Sequence, residues 1–250
     1  MATIFADQVF IMKKIVLIIT AALFTFAASA QTPASKPQTS FSRAGDHIMV
    51  QLGTELWSGL PDSINSHVTG LARVANVYLM LDKPFKNNHH MSVAFGVGIG
   101  TSNIYFSKMN VDVKAITTKL PFTNQDSLNH YKKYKLSYAF LEVPVELRYM
   151  TNPANEKKSW KVALGGKVGT LLNVHTKGKT LLDKNGATIN TYTEKENNKR
   201  FFNATRLSLT GRIGYGNFSV FGAYQVNKLL KDGVGPDIKP FQVGLTISGL

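Results

Sequence analysis

The chain has 250 residues, of which 29 are Lys or Arg and 15 are Asp or Glu, so its formal net charge at pH 7 is +14. It contains no Cys, which excludes disulfides and thiolate metal sites as sources of stability. The basic excess is compatible with nucleic acid binding or with an acidic membrane surface. Export of the chain would favour the membrane surface.

The amino terminus carries the pattern of an export signal. Lys13 and Lys14 precede an uncharged run over residues 15–28, which is too short to span a bilayer comfortably. The small residues at Ala28 and Ala30 suit a cleavage site, so Gln31 is the expected first residue of the mature protein. A buried core helix is the alternative interpretation of the run. We predict a signal peptide over residues 1–30, with the true start at Met12, and a periplasmic linker over residues 31–44.

Eight later segments alternate apolar and polar residues, which is the pattern of β-strands bounded by turns. Successive side chains of a strand point to opposite faces, so each segment has one apolar and one polar face. The predicted strands cover about residues 47–57, 71–81, 91–106, 135–149, 160–174, 203–214, 218–227 and 239–249.

The fourth predicted strand shows the contrast between its faces most strongly. A soluble sandwich would bury its apolar face, whereas a membrane barrel would turn that face to lipid. Pro144 lies within this strand and lacks an N–H donor, so we expect a bulge or irregular pairing there. The apolar face carries Leu141, Val143, Val145, Leu147 and Tyr149, and the charged face carries Glu142, Glu146 and Arg148.

The lengths of the connections favour the membrane barrel. No segment after the signal approaches the length of a membrane helix, so a membrane crossing would need a closed barrel. The joins over residues 82–90, 151–159 and 215–217 are short, whereas most of the alternate joins are long. Outer-membrane barrels have short periplasmic turns and long external loops. We therefore predict an all-β fold over residues 45–250, an eight-stranded antiparallel up-and-down transmembrane barrel.

Each face of the predicted barrel carries a distinctive set of residues. Aromatic residues at the strand ends resemble the aromatic girdles that outer-membrane barrels carry at the two membrane–water interfaces. The alternative is that these residues form the core of a secreted sandwich. An eight-stranded barrel is just wide enough to be filled by its own side chains, so the charges should pair and leave no open pore. The expected interface aromatics are Trp57, Tyr105, Tyr149, Trp160, Tyr215, Phe218 and Phe241, and the expected lumen network is Glu55, Glu142, Glu146, Arg148, Lys167, Arg206 and Arg212.

Several apparent chemical motifs are weak. Residues 96–100 lack the spacing, helix and acidic residue of a dinucleotide loop. The adjacent His89 and His90 fall in a short turn, where solvation is more common than metal binding. Residues 131–135 form a basic and aromatic cluster that suits anchoring at the lipid headgroups. We assign no catalytic, cofactor-binding or metal-binding residue.

The chain resembles the small outer-membrane β-barrel (porin-like) protein family of Gram-negative bacteria. The resemblance is carried by residues 138–153, 161–172 and 211–218. It implies an outer-membrane location and insertion by the barrel-assembly machinery, but no shared catalytic residues. The terminal Leu250 departs from the aromatic residue that many such barrels use as an insertion signal.

These features favour a non-enzymatic surface barrel whose external loops carry specificity. A narrow passive channel, a barrel enzyme and a secreted lipocalin-like binder are the alternatives. The expected partners are outer-membrane lipid and lipopolysaccharide, with no nucleic acid and no cofactor. The expected loops cover about residues 58–70, 107–134 and 176–202.

Overall fold

The computed structural model describes residues 48–249. The predicted signal peptide, its cleavage site between Ala30 and Gln31, and the predicted linker lie outside the described residues. Within the described range, no helix has both the length and the apolar character that a bilayer-spanning helix requires.

The described chain is built almost entirely from strands. A four-residue helix, α1 (Asp62–Asn65), and a 3₁₀ turn over Glu156–Lys158 are the helical elements between residues 48 and 249. The strands are β1 (Ile48–Ser58), β2 (Arg73–Pro84), β3 (Met91–Phe106), β4 (Met109–Val111), β5 (Phe122–Asn124), β6 (His130–Met150), β7 (Trp160–Leu182), β8 (Thr188–Asn197), β9 (Thr205–Tyr215), β10 (Phe218–Gln225) and β11 (Lys239–Ser248).

Eight of these strands close into an antiparallel barrel. They follow the order β1, β2, β3, β6, β7, β9, β10 and β11, and β11 pairs back onto β1. The remaining strands lie on the external side, where β4 pairs with β5 and β8 pairs with the end of β7. The predicted eight-stranded antiparallel barrel is confirmed.

The barrel wall is apolar outside and polar inside. From Leu141 to Met150, burial alternates at every residue of β6, so that Leu147 is exposed whereas Glu142 is completely buried. Leu164 of β7 and Leu209 of β9 are likewise more than 60% exposed. A soluble protein buries such residues, so this band has the polarity of a surface in contact with lipid.

Two strands are longer than the sequence predicted. β6 begins at His130 and β7 continues to Leu182, so both extend past the apolar band on the external side. The added segments, residues 130–134 and 175–182, are rich in Lys and lack a continuous apolar face, which hid them from a search for hydrophobic periodicity. Pro144 interrupts the β3–β6 pairs between Val145 and Glu142 without shifting the register.

The interior consists of two regions with different chemistry. At the level of the apolar band, the lumen is filled by buried Gln, Asn, Glu, Lys and Arg side chains. At the external mouth, the loops and strand ends enclose an apolar core instead. Its most buried members are Ile104, Phe106, Val111, Val113, Leu136, Phe140, Val174, Phe201, Phe202, Leu229, Leu230 and Ile238.

Candidate functional site

The lumen network is organised around Glu142 of β6. Its carboxylate accepts hydrogen bonds from Lys167 Nζ at 3.0 Å and from Arg206 Nη1 at 3.1 Å, which reach it from β7 and β9. Two inward glycines make room for the carboxylate, since a Cβ on Gly100 would lie 2.7 Å from a Glu142 oxygen and one on Gly169 would lie 3.0 Å from its Cγ. The small residues therefore let the acid reach both cations.

Arg206 joins this acid to a second one across the lumen. Its guanidinium lies 3.5 Å from the Glu55 carboxylate of β1 while it donates to Glu142. The Phe140 ring packs against this guanidinium, with 4.7 Å between Arg206 Cζ and the centre of the ring. Glu55 also accepts hydrogen bonds from Ser102 at 2.6 Å, from Gln242 at 2.8 Å and from the Tyr138 hydroxyl.

A second ionic cluster lies nearer the periplasmic end. Glu146 Oε2 accepts hydrogen bonds from Arg148 Nε at 2.9 Å and from Arg212 Nη2 at 3.0 Å. All three side chains are buried. The structure thus groups the seven charged residues of the predicted network into one set around Glu142 and another around Glu146. Because each acid is held by at least one Arg, the network can fix strands together at both levels of the lumen.

The external mouth is closed by a core that the sequence analysis did not predict. Phe201 and Phe202, from the connection before β9, are buried with Leu229 and Leu230, from the connection before β11. Asn203 fastens the two connections by donating to the carbonyl oxygens of Lys228 at 2.7 Å and Leu230 at 2.8 Å. The sequence signal was the presence of two apolar pairs, Phe-Phe and Leu-Leu, within otherwise polar connections.

The aromatic residues predicted at the interfaces fall mainly on the outer face. Tyr149, Trp160, Tyr215 and Phe218 are exposed at the periplasmic strand ends, and Trp160 and Tyr215 pack edge to face at 5.7 Å. Phe241 is exposed at the external end of β11, and Tyr105 points outward there on β3.

The interface position predicted for Trp57 is wrong. Odd-numbered residues of β1 face the interior, and the indole packs against Phe106 of the mouth core with ring centres 6.2 Å apart. Its Nε1 donates to Glu55 at 2.8 Å. Trp57 therefore connects the mouth core to the lumen network.

The predicted basic and aromatic cluster over residues 131–135 is divided between the two faces of the external sheet, which consists of β8 and the ends of β6 and β7 beyond the apolar band. Lys133 and Lys135 lie on the outer face, with Lys177 and Lys179 of β7 beside them. Tyr134 lies on the inner face, where its hydroxyl donates to Val111 O at 2.9 Å and burial raises its pKa to about 12. Only the lysines of this cluster can therefore face the lipid headgroups.

Three of the histidine rings contact the backbone. Ring nitrogens of His67, His90 and His130 lie 2.9–3.2 Å from the carbonyl oxygens of Ser107, Met150 and Leu128, respectively. Between residues 48 and 249, no group of three His, Cys, Asp or Glu side chains has the geometry to hold a metal ion.

The match to a protein family agrees with this architecture. Residues 48–249 match the family model described as outer membrane protein beta-barrel domain. A crystal structure of Ail, the attachment invasion locus protein of Yersinia pestis, in complex with the heparin analogue sucrose octasulfate is 12% identical over 80% of this chain and 95% of that chain, with a TM-score of 0.31. A second crystal structure of Ail is 14% identical with the same coverage and a TM-score of 0.29. No curated protein matches the sequence.

Proposed function

The chain belongs to the family of outer membrane protein β-barrel domains and resides in the outer membrane, and from this premise we propose that it is a non-enzymatic surface protein with a closed barrel. The barrel holds an ordered external sheet and a set of packed loops above the membrane. In this proposal the external part makes contact with partners, and the lumen carries no solute.

The observation that carries the proposal is that the interior is filled at two successive levels. Ionic side chains from β1, β6, β7 and β9 meet across the lumen, and an apolar core covers them at the mouth. Opening the lumen would separate buried ion pairs and would also expose the mouth core to water, and both changes are costly. This double closure supports a surface role over that of a passive channel.

A barrel enzyme is less well supported. Catalysis at the rim would need a nucleophile within hydrogen-bonding reach of a base. The rings of His67, His90 and His130 instead contact carbonyl oxygens, and His67 Nε2 lies 3.8 Å from Asp126 beside an exposed loop.

The biogenesis and partners in this proposal follow the sequence analysis. The chain is exported by a signal peptide over residues 1–30 in a Gram-negative bacterium and inserted by the barrel-assembly machinery. The band of exposed Leu, Val and aromatic side chains supports contact with lipid. The basic external sheet supports contact with lipopolysaccharide.

Conductance across a planar bilayer tests the closed barrel. Folded protein, verified by its heat-modifiable migration on a gel, should insert without single-channel steps above the bare-bilayer background. A general porin inserted in the same bilayers serves as the positive control. Reproducible steps of uniform size from the folded protein would refute the closed barrel and establish a passive channel.

A further inference from the structure

The external sheet carries a row of lysines on the face that continues the lipid-facing wall. On β6 the last exposed apolar residue is Leu141, and the outward positions beyond it lead to Lys135 and Lys133. At about 3.3 Å per residue and a tilt of about 40°, Lys135 lies roughly 15 Å above Leu141. Lysine stems are long enough to reach back toward the membrane surface from that height. The row therefore borders the polar layer that covers the acyl chains.

The lysines oppose one another directly across the strands. Lys133 is paired with Lys179, Lys135 with Lys177, and Lys177 with Lys195. Side chains in such positions lie about 5 Å apart at Cβ, where like charges are destabilising. A bound anion would offset the repulsion within these three pairs.

The acidic residues of the same sheet lie on its other face. Glu194 and Glu196 of β8 oppose Gly178 and Thr176, whose positions face the interior. Together with Asp112 they line an inner cavity rather than the outer row. Between residues 48 and 249, none of the five lysines forms an ion pair with a carboxylate. The outer face thus has uncompensated positive charge.

A cavity lies within this row. Its volume is about 160 Å³, and its lining includes Lys133, Lys135, Lys177 and Lys179. Lys135 is oriented by donating to Asn103 Oδ1 at 2.6 Å. At the rim, the Arg73 guanidinium stacks over Tyr105 at 5.4 Å. Burial and then the charges of Lys177, Arg73 and Lys195 lower the pKa of Lys135.

We propose that this face binds the phosphate groups of an outer-leaflet glycolipid. The lysines around the cavity hold one phosphate, and Arg73 and Lys195 extend the site on either side. The lipid source follows from position, since the site lies on the same outer face of β6 and β7 as the lipid-facing wall. The inference rests on the proposed function only for the membrane location, because it does not require a closed lumen.

A matched pair of triple variants tests the site. The variant Lys135→Gln, Lys177→Gln, Lys179→Gln removes three charges from the cavity, and Lys86→Gln, Lys157→Gln, Lys158→Gln removes three exposed charges from the periplasmic end. Each folded protein is placed in phospholipid nanodiscs and titrated with lipopolysaccharide, with enzymatically dephosphorylated lipopolysaccharide and with inorganic phosphate. Folding of each variant is verified by heat-modifiable migration on a gel. The cavity variant should fold, because it removes repulsion between opposing lysines.

The expected result is a loss of affinity for lipopolysaccharide of at least about tenfold in the cavity variant, with little change in the periplasmic variant. Dephosphorylation should cause a similar loss for the unmodified protein. Equal affinities for the two variants would overturn the site. Tight binding of inorganic phosphate without preference for lipopolysaccharide would overturn the lipid assignment. Because conductance is measured separately, failure here is distinguishable from failure of the closed-barrel proposal.

Discussion

The barrel reverses its polarity between the membrane level and the external mouth. At the membrane level Leu141 faces outward and Glu142 inward, whereas above it Lys135 faces outward and Leu136 inward. The surroundings explain both arrangements, because acyl chains favour apolar side chains on the wall and the polar layer above them favours charged ones. The interior takes the opposite character at each level. The comparison shows that one continuous strand can contribute first to a sheet with a polar outer face and then to a lipid-facing wall.

In the sequence, the reversal corresponds to a shift by one residue in the alternation of apolar and polar side chains. On β6, apolar residues occupy odd positions from Leu141 to Tyr149 and even positions from Tyr134 to Phe140. The two patterns meet at Phe140 and Leu141, where two apolar residues are adjacent. On β7 the adjacent Leu171 and Leu172 fall at the same level, beside the register shift opposite Ala139 and Phe140. This level marks the outer limit of the lipid-facing wall.

The largest effect is expected from breaking the membrane-level network. Replacing Glu142 with Ala leaves Lys167 and Arg206 buried without their shared acid. Removing one partner of a buried ion pair costs about 3–5 kcal/mol, so the free energy of unfolding should fall by that amount. The measurement is urea unfolding in lipid vesicles, followed by heat-modifiable migration.

The control for this variant is Glu156→Ala, which removes an acid that lies 3.6 Å from Lys161 in a periplasmic turn. The side chains of this pair are 10% and 21% exposed and only one cation loses its partner, so the loss should be smaller than that of Glu142→Ala. Adding Lys167→Met to Glu142→Ala should recover part of the loss, because it removes one of the stranded charges. Equal losses for Glu142→Ala and Glu156→Ala would contradict the assignment of a stabilising network.

A smaller and local effect is expected at the mouth. Replacing the buried Phe202 with Ala should reduce the stability of the packed loops by roughly 3 kcal/mol, because a loop can partly collapse into the space that is left. The barrel wall should stay intact, so limited proteolysis should speed up while heat-modifiable migration is preserved. Ile116, which is 92% exposed, provides the control as Ile116→Ala. Unchanged cleavage in the Phe202 variant would show that the mouth core does not hold the loops.

The sequence predicted the barrel well because its period-two pattern extends over whole strands. Each of the eight barrel strands has an outward apolar face, so their number and order followed from the alternation and the lengths of the connections. The mouth was not predicted, because Phe201 and Leu229 lie in connections where no periodicity places them on a face. Their burial depends on contacts between distant segments, and local pattern contains no information about such contacts.

Local sequence pattern was equally unable to predict how the charged residues of the lumen pair. Alternation placed Glu142, Lys167 and Arg206 on the inner face, but it could not state which acid would meet which cation. That pairing depends on barrel closure and on the space at Gly100 and Gly169. The lysine row was only half visible, since Lys177, Lys179 and Lys195 lay in a segment interpreted as a loop. The extended β6 and β7 pair Lys179 with Lys133 and Lys177 with Lys135, and β8 places Lys195 opposite Lys177.

The smallest effect is expected at His175, whose pKa depends on the positive charges of the external sheet. Burial, and then the charges of Lys195, Lys135 and Lys177, lower the pKa of this side chain. The folded state therefore disfavours the protonated ring, and His175 should reduce stability as the pH falls below its ordinary pKa of about 6.5. Replacing Lys195 with Gln should raise the pKa of His175 toward that ordinary value, as followed by the NMR titration of its ring protons. Lys86→Gln, at the opposite end of the barrel, is the control. A pKa that stays unchanged in the Lys195 variant would mean that burial alone sets it and that the lysine row exerts no measurable field on its neighbours.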